Sequence, residues 1–199
     1  MHPRVIRLAK RSGQGSDALA GTAGEGDDGM QLLRSDKDRR EHELVVDTLT
    51  NQLRQMGLTP CRRRQPQLAR HGQLTHLHTP ITAEVQGRSA LSLAEQLHPT
   101  PAVAGLPRRE AMAWLRTLEP FERGCYAAPI GWIDSAGDAE LRVAIRCGHV
   151  RGRHLDLTAG AGLVRGSIAE RERQEVELKL AVLADQLKLQ TSERNRSIV

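Results

Sequence analysis

The run CYAAPIGWIDSAGDAELRVAIRCGHVRGRHLDLTAGAG, residues 125–162, reads as three extended segments, 125–133, 139–150 and 154–162. The short stretches DSAGD and RGR join them, with the Asp, Ser and Gly content that tight strand connections need. In the middle segment Leu141, Val143 and Ile145 alternate with Arg142, Ala144 and Arg146. That two-residue period places apolar side chains on one face of a sheet, and the face has to be covered.

Helices are expected to cover it. Ser35 is a good N-cap for a helix over 36–56, whose Val45, Leu49, Leu53 and Met56 form an apolar stripe that ends at Gly57. Shorter helices are expected at 89–97, stopped before Pro99, and at 108–118, with Met112, Leu115 and Leu118 on one side. A last helix over 168–189 has Val176, Leu180, Leu183 and Leu187 as its apolar line. LTHLHTPI resembles a strand with Leu74, His76 and His78 on one face and Thr75, Leu77 and Thr79 on the other, and 61–72 reads as a connection. Residues 1–18 are basic and lack apolar periodicity, and 21–29 are glycine-rich and acidic, so both are expected as loop or poorly ordered chain. One domain over 19–190, followed by a polar tail at 191–199, is the expected organisation. Antiparallel strands flanked by helices make an α+β fold.

The 199 residues carry a net charge of +5, which suits an anionic ligand. Nucleic acid is not expected as a partner: the basic residues are spread except in CRRRQ at 61–65, and four aromatic residues offer few stacking platforms. Three cysteines without metal spacing, and no signal peptide, point to a reducing, cytoplasmic compartment. No apolar run approaches the ~20 residues that cross a bilayer, so no membrane partner is expected.

The chemistry concentrates on carboxylates. Glu41 lies one turn before Val45, so it leans toward the interior, while Lys37, Arg39 and Arg40 are expected in water. A buried carboxylate needs a base or a metal. Glu172 and Glu175 stand at the start of the last helix's stripe, and two helices bringing carboxylates together create a repulsion that a hard divalent cation relieves. The same spacing also fits surface pairing with Arg171, Arg173 or Lys179. In TAGAGLV, 158–164, Gly160 and Gly162 either let backbone approach an anion or simply bend the chain. Arg146 is suited to gripping a carboxylate, or to an exposed strand position. His76, Tyr126 and Lys179 are equally open.

Taken in order, KDRREHELV, HLHTP, HPTPAVAG, LEPFERGCYAAPIGW, VAIRC, AGAGLV and ERQEVELK resemble the chorismate-utilising enzymes, and HPTPAVAG is most similar to the isochorismate synthase branch. The likeness covers about residues 19–187. It implies an incomplete chorismate-binding domain, like those of anthranilate and isochorismate synthases, in which sheets enclose a Mg²⁺-dependent site for chorismate. Motif by motif, it implies Glu41, Glu172 and Glu175 as Mg²⁺ carboxylates, and Gly21 and Thr22 as backbone contacts to substrate. Tyr126, Arg146, Gly160, Ala161, Gly162 and Lys179 match residues gripping the substrate carboxylates, and His76 and Ala102 match pocket-lining positions. The implied activity is conversion of chorismate to isochorismate for quinone or siderophore synthesis.

The sequence also departs from that pattern. The family's upstream lysine base has no counterpart, and Arg4 falls where its acid glutamate stands. Gly24 and Glu25 replace the Pro-Arg that follows AGTA. No catalytic residue is therefore assigned. The expectation is a fragment served by a separate N-terminal segment, or else a non-catalytic module that binds chorismate and Mg²⁺.

Overall fold

The computed structural model describes residues 5–8, 14–23, 29–71, 74–85 and 87–189. Strands β1 (Val5–Leu8) and β2 (Gln14–Ala23) come first, then helices α1 (Met30–Arg34) and α2 (Asp36–Gln55). β3 (Cys61–Arg62), β4 (Gln67–His71) and β5 (Leu74–Ala83) follow, then α3 (Ala90–Leu97), α4 (Pro101–Ala104) and α5 (Arg108–Leu118). β6 (Pro129–Ile133), β7 (Ala139–Val143), β8 (Cys147–Arg151) and β9 (His154–Thr158) lead to α6 (Ala169–Gln186). Among the described residues, seven strands form one antiparallel sheet in the order β3-β5-β2-β1-β7-β6, with β4 also paired to β5. β8 and β9 pair separately. The α+β arrangement is the expected one.

α2 forms as its sequence dictates. The Ser35 hydroxyl accepts the Asp38 N–H at 3.2 Å, and Gly57, at φ 77°, ends the helix where only glycine is unstrained. Val45, Leu49 and Leu53 are buried and pack with Ala18, Ile81, Leu93 and Leu97. The helix lies against β2 and β5. His42 turns inward as well, with its Nε2 2.8 Å from the Thr79 hydroxyl on β5.

Four expectations need correction. Residues 5–8, 14–18 and 21–23, expected as loop, are strand. The small, polar residues of β2 are weak strand formers, but the strand lies between β1 and β5, and pairing on both sides overrides propensity. The connection expected at 61–72 contains β3 and β4. The single strand expected over 139–150 is divided, because Arg146 adopts φ 52° and turns the chain out of the main sheet; beyond it Cys147 begins β8. Finally, of the line expected on α6 only Leu183 is buried, and Leu187 is exposed. The inward stripe is instead Glu172, Lys179, Val182 and Leu183.

The expectations for residues 1–4, 9–13, 24–28 and 190–199 lie outside the described residues. No helix among the described residues is long and apolar enough to cross a membrane.

Candidate cation and substrate site

The N-terminal turns of α2 and α6 meet, and their carboxylates converge on one ammonium group. Lys37 Nζ lies 2.8 Å from Glu172 Oε1, 3.8 Å from Glu175 Oε2 and 3.9 Å from Glu41 Oε2. Glu41 and Glu172 are 8% and 6% exposed, so this cluster is interior, and the surface-pairing alternative does not describe Glu172. Burial depresses the Lys37 pKa, but the hydrogen bond to Glu172 and the charges of Glu175 and Glu41 outweigh it, and the net shift is upward. Lys37 was expected in water. It is half-buried because it precedes Glu41 by one helical turn and so shares its face. That spacing was the available signal.

Glu175 is held from its other side as well. Its Oε1 accepts from Lys179 Nζ at 2.7 Å, and the same ammonium donates to the Gly160 carbonyl at 2.8 Å. The loop between β9 and α6 passes very close to the cluster. A Cβ on Gly162 would stand 2.5 Å from Glu41 Oε1, and one on Gly160 would stand 2.9 Å from the Tyr126 hydroxyl oxygen. At both positions glycine allows this close approach without displacing the facing side chain, with Ala161 between them. The Tyr126 ring is placed by an edge contact with Phe121 at 6.2 Å and by Arg123 over its face at 5.6 Å.

A second polar line adjoins the first. Arg146 Nη2 is 3.2 Å from His76 Nε2, and His76 Nδ1 is 3.4 Å from the Thr22 hydroxyl. A guanidinium only donates, so Nε2 accepts and Nδ1 carries the ring hydrogen. Thr22 reaches the histidine from a bulge in β2, where the register with β5 shifts between Ala20 and Ala23, a stretch that also contains Gly21. Burial lowers the Arg146 pKa, opposed by the charges of Glu175 and Tyr126, which ties this line to the carboxylate cluster.

Most of the residues singled out in the sequence are thus brought together. Ala102 is not: it packs from α4 against the main apolar core. Among the described residues no three His, Cys, Asp or Glu side chains stand ready-made as metal ligands. The cation that the carboxylates share is Lys37. Their chemistry nonetheless suits a hard divalent ion, which takes oxygen donors. Glu172 Oε2 is buried without a hydrogen-bond partner, so acceptor capacity remains.

The fold is thus an α+β domain with clustered carboxylates beside buried cationic side chains. The chain belongs to the chorismate binding enzyme family, which it matches over residues 6–188. The isochorismate synthase MenF of Bacillus subtilis (strain 168) is 39% identical over 184 residues, 87% of this chain and 39% of the relative. Isochorismate synthase EntC of Escherichia coli (strain K12) is 40% identical over 156 residues, 78% of this chain and 40% of the relative. The solved structure of MenF, the menaquinone-specific isochorismate synthase from Escherichia coli, has a TM-score of 0.77 and 34% identity, over 94% of this chain and 43% of that one. The chain therefore spans about two fifths of the length of the curated relatives named here.

Proposed function

We propose that this chain carries the chorismate and Mg²⁺ site of an isochorismate synthase. The observation that carries this reading is the gathering of Glu41, Glu172 and Glu175 around one positive charge, beside the cationic Lys179 and Arg146. Chorismate is a dicarboxylate. In this reading Arg146, Lys179 and Tyr126, with the backbone at Gly160, Ala161 and Gly162, orient its carboxylates, and Gly21, Thr22 and His76 line the pocket. Glu41, Glu172 and Glu175 hold Mg²⁺, whose charge draws a substrate carboxylate into an otherwise repulsive pocket.

Moving a hydroxyl between ring carbons requires water to attack one carbon as hydroxide leaves another, which takes a base and an acid. Neither is assigned among the described residues. We propose that a separate N-terminal segment supplies them. The exposed apolar side chains of the edge strand β6, Ile130, Trp132 and Ile133, offer it a docking place. The product would feed quinone or siderophore synthesis; one relative is named menaquinone-specific and another vibriobactin-specific. A second reading is binding without turnover, since no base or acid is assigned among the described residues.

The test is incubation with chorismate and Mg²⁺, with and without the N-terminal segment of a relative, assayed for isochorismate by chromatography. Product that depends on the added segment is expected. Mg²⁺-dependent chorismate binding without product under either condition supports the second reading. No chorismate binding overturns both.

A further inference from the structure

We propose that Lys37 is a built-in counterion of the cation site: its ammonium holds the place that a divalent cation takes, and it leaves when the cation enters. This rests on the reading of Glu41, Glu172 and Glu175 as cation ligands. The geometry gives Lys37 the role, because its Nζ is the one group within 4 Å of a carboxylate oxygen from each of the three among the described ion pairs. Counting these side chains, three carboxylates faced by Lys37 and Lys179 leave one net negative charge. Without Lys37 two would remain in a pocket shielded from water, and like charges repel more strongly there.

Two ammonium groups adjoin the carboxylates, and the structure separates their roles. Lys179 is tied at both sides, to Glu175 and to the Gly160 carbonyl, and its side chain is 11% exposed. Lys37 springs from the first turn of α2 and its side chain is 23% exposed, which leaves a path to solvent. Its four-carbon stem is flexible, and its ammonium regains hydration on leaving. A divalent ion at the same point cannot coexist with the ammonium, since Mg²⁺ draws carboxylate oxygens to about 2.0–2.1 Å. With Lys37 in water, exchanging one charge for two leaves the three carboxylates, Lys179 and the ion neutral together. Lys37 thus preserves the pocket when the ion is absent and weakens the ion's hold when it is present.

The experiment compares the full chain with Lys37→Gln, Lys37→Arg and, as a charge control, Arg40→Gln, whose side chain reaches the Arg165 carbonyl instead. Mg²⁺ binding is titrated by calorimetry without chorismate, and melting is recorded in EDTA. Lys37→Gln is expected to melt several degrees lower in EDTA yet to bind Mg²⁺ about tenfold more tightly, the scale of losing one close competing charge. Lys37→Arg, which keeps the charge and grips carboxylates bidentately, should melt like the parent and bind Mg²⁺ severalfold more weakly. Arg40→Gln should follow the parent in both. If the parent binds Mg²⁺ and Lys37→Gln binds it no more tightly, the counterion role is overturned while the cation site stands; should Lys37→Gln not fold, parent-like Mg²⁺ binding by Lys37→Arg overturns it equally. Absence of Mg²⁺ binding in the parent overturns the cation site itself.

Discussion

Around α2, β2 and β5 the large apolar residues are inside: Leu49, Leu77, Ile81, Leu93 and Leu97 are at most 2% exposed. Around β6, β8 and the end of α6 they are outside, with Ile130 63%, Trp132 55% and Val150 71% exposed. The charged residues are distributed in the opposite sense. On α6 Glu172 and Lys179 are buried while Leu187 is not. The first region closes over its own apolar surface, and its stability comes from burial. The second offers apolar side chains to whatever covers them and on α6 buries Glu172 and Lys179 along with Val182, Leu183 and Ala184. The carboxylate cluster lies on the seam, with Glu41 contributed by the first region and Glu172 and Glu175 by the second.

The largest expected effect tests that asymmetry directly. Leu49→Ala empties a filled core and should lower the unfolding free energy by about 2–5 kcal/mol. Trp132→Ala removes a larger side chain, but one already half in water, and should lower it by less than ~1 kcal/mol. Urea denaturation of both variants is the measurement. Equal losses would show that β6 is as integral to the core as α2, and the comparison would fail.

The same asymmetry explains what was legible in the sequence. α2 could be read in full, with its cap at Ser35, its stripe and its stop at Gly57, because its apolar face is what the interior demands. β5 and α3 were legible for similar reasons. α6 was placed correctly but its face was not, since a hydrophobic line indicates the inward side only when the interior is apolar. β2 was hidden by its small and polar residues, and the break at Arg146 by an alternation that continues smoothly through a left-handed residue. Of the candidate site, spacing turned Glu41 inward but left Glu172, Glu175 and the glycine loop open between pocket and surface, and only the resemblance singled them out. Lys37 was missed because a lysine in a charged run is ordinarily assigned to solvent, although one turn from Glu41 it had to share that face.

A smaller effect probes the seam. Gly162→Ala places a methyl group where Glu41 Oε1 now stands, and only the end of that side chain has to yield. The folded state should lose about 1 kcal/mol or less. On the proposed reading Mg²⁺ binds the folded state alone and raises the melting temperature, and that rise should shrink far more than the stability does. Thermal melts in EDTA and in Mg²⁺ separate the two. A variant that loses stability yet keeps the whole Mg²⁺ response would place Glu41 outside the cation site.

The smallest effect belongs to the closed region. His98 follows the buried Leu97 at the end of α3, and burial, assisted by the charge of Arg108, holds its pKa below the ordinary 6.5. Arg108 is fixed there by donating to the His98 carbonyl. Just below pH 6.5 the unfolded chain therefore binds a proton that the folded chain refuses, so stability rises with pH across that window. The contribution is fully present above about 6.5, is lost as the pH falls below it, and levels off under the folded-state pKa. His98→Gln removes the titration. Between pH 7.5 and 5.5 the parent should lose more stability than the variant, measured as the change in urea midpoint, and Arg108→Gln should fall between them because it removes only the lesser cause. Identical losses in parent and His98→Gln would show that the pH response of this region comes from other groups.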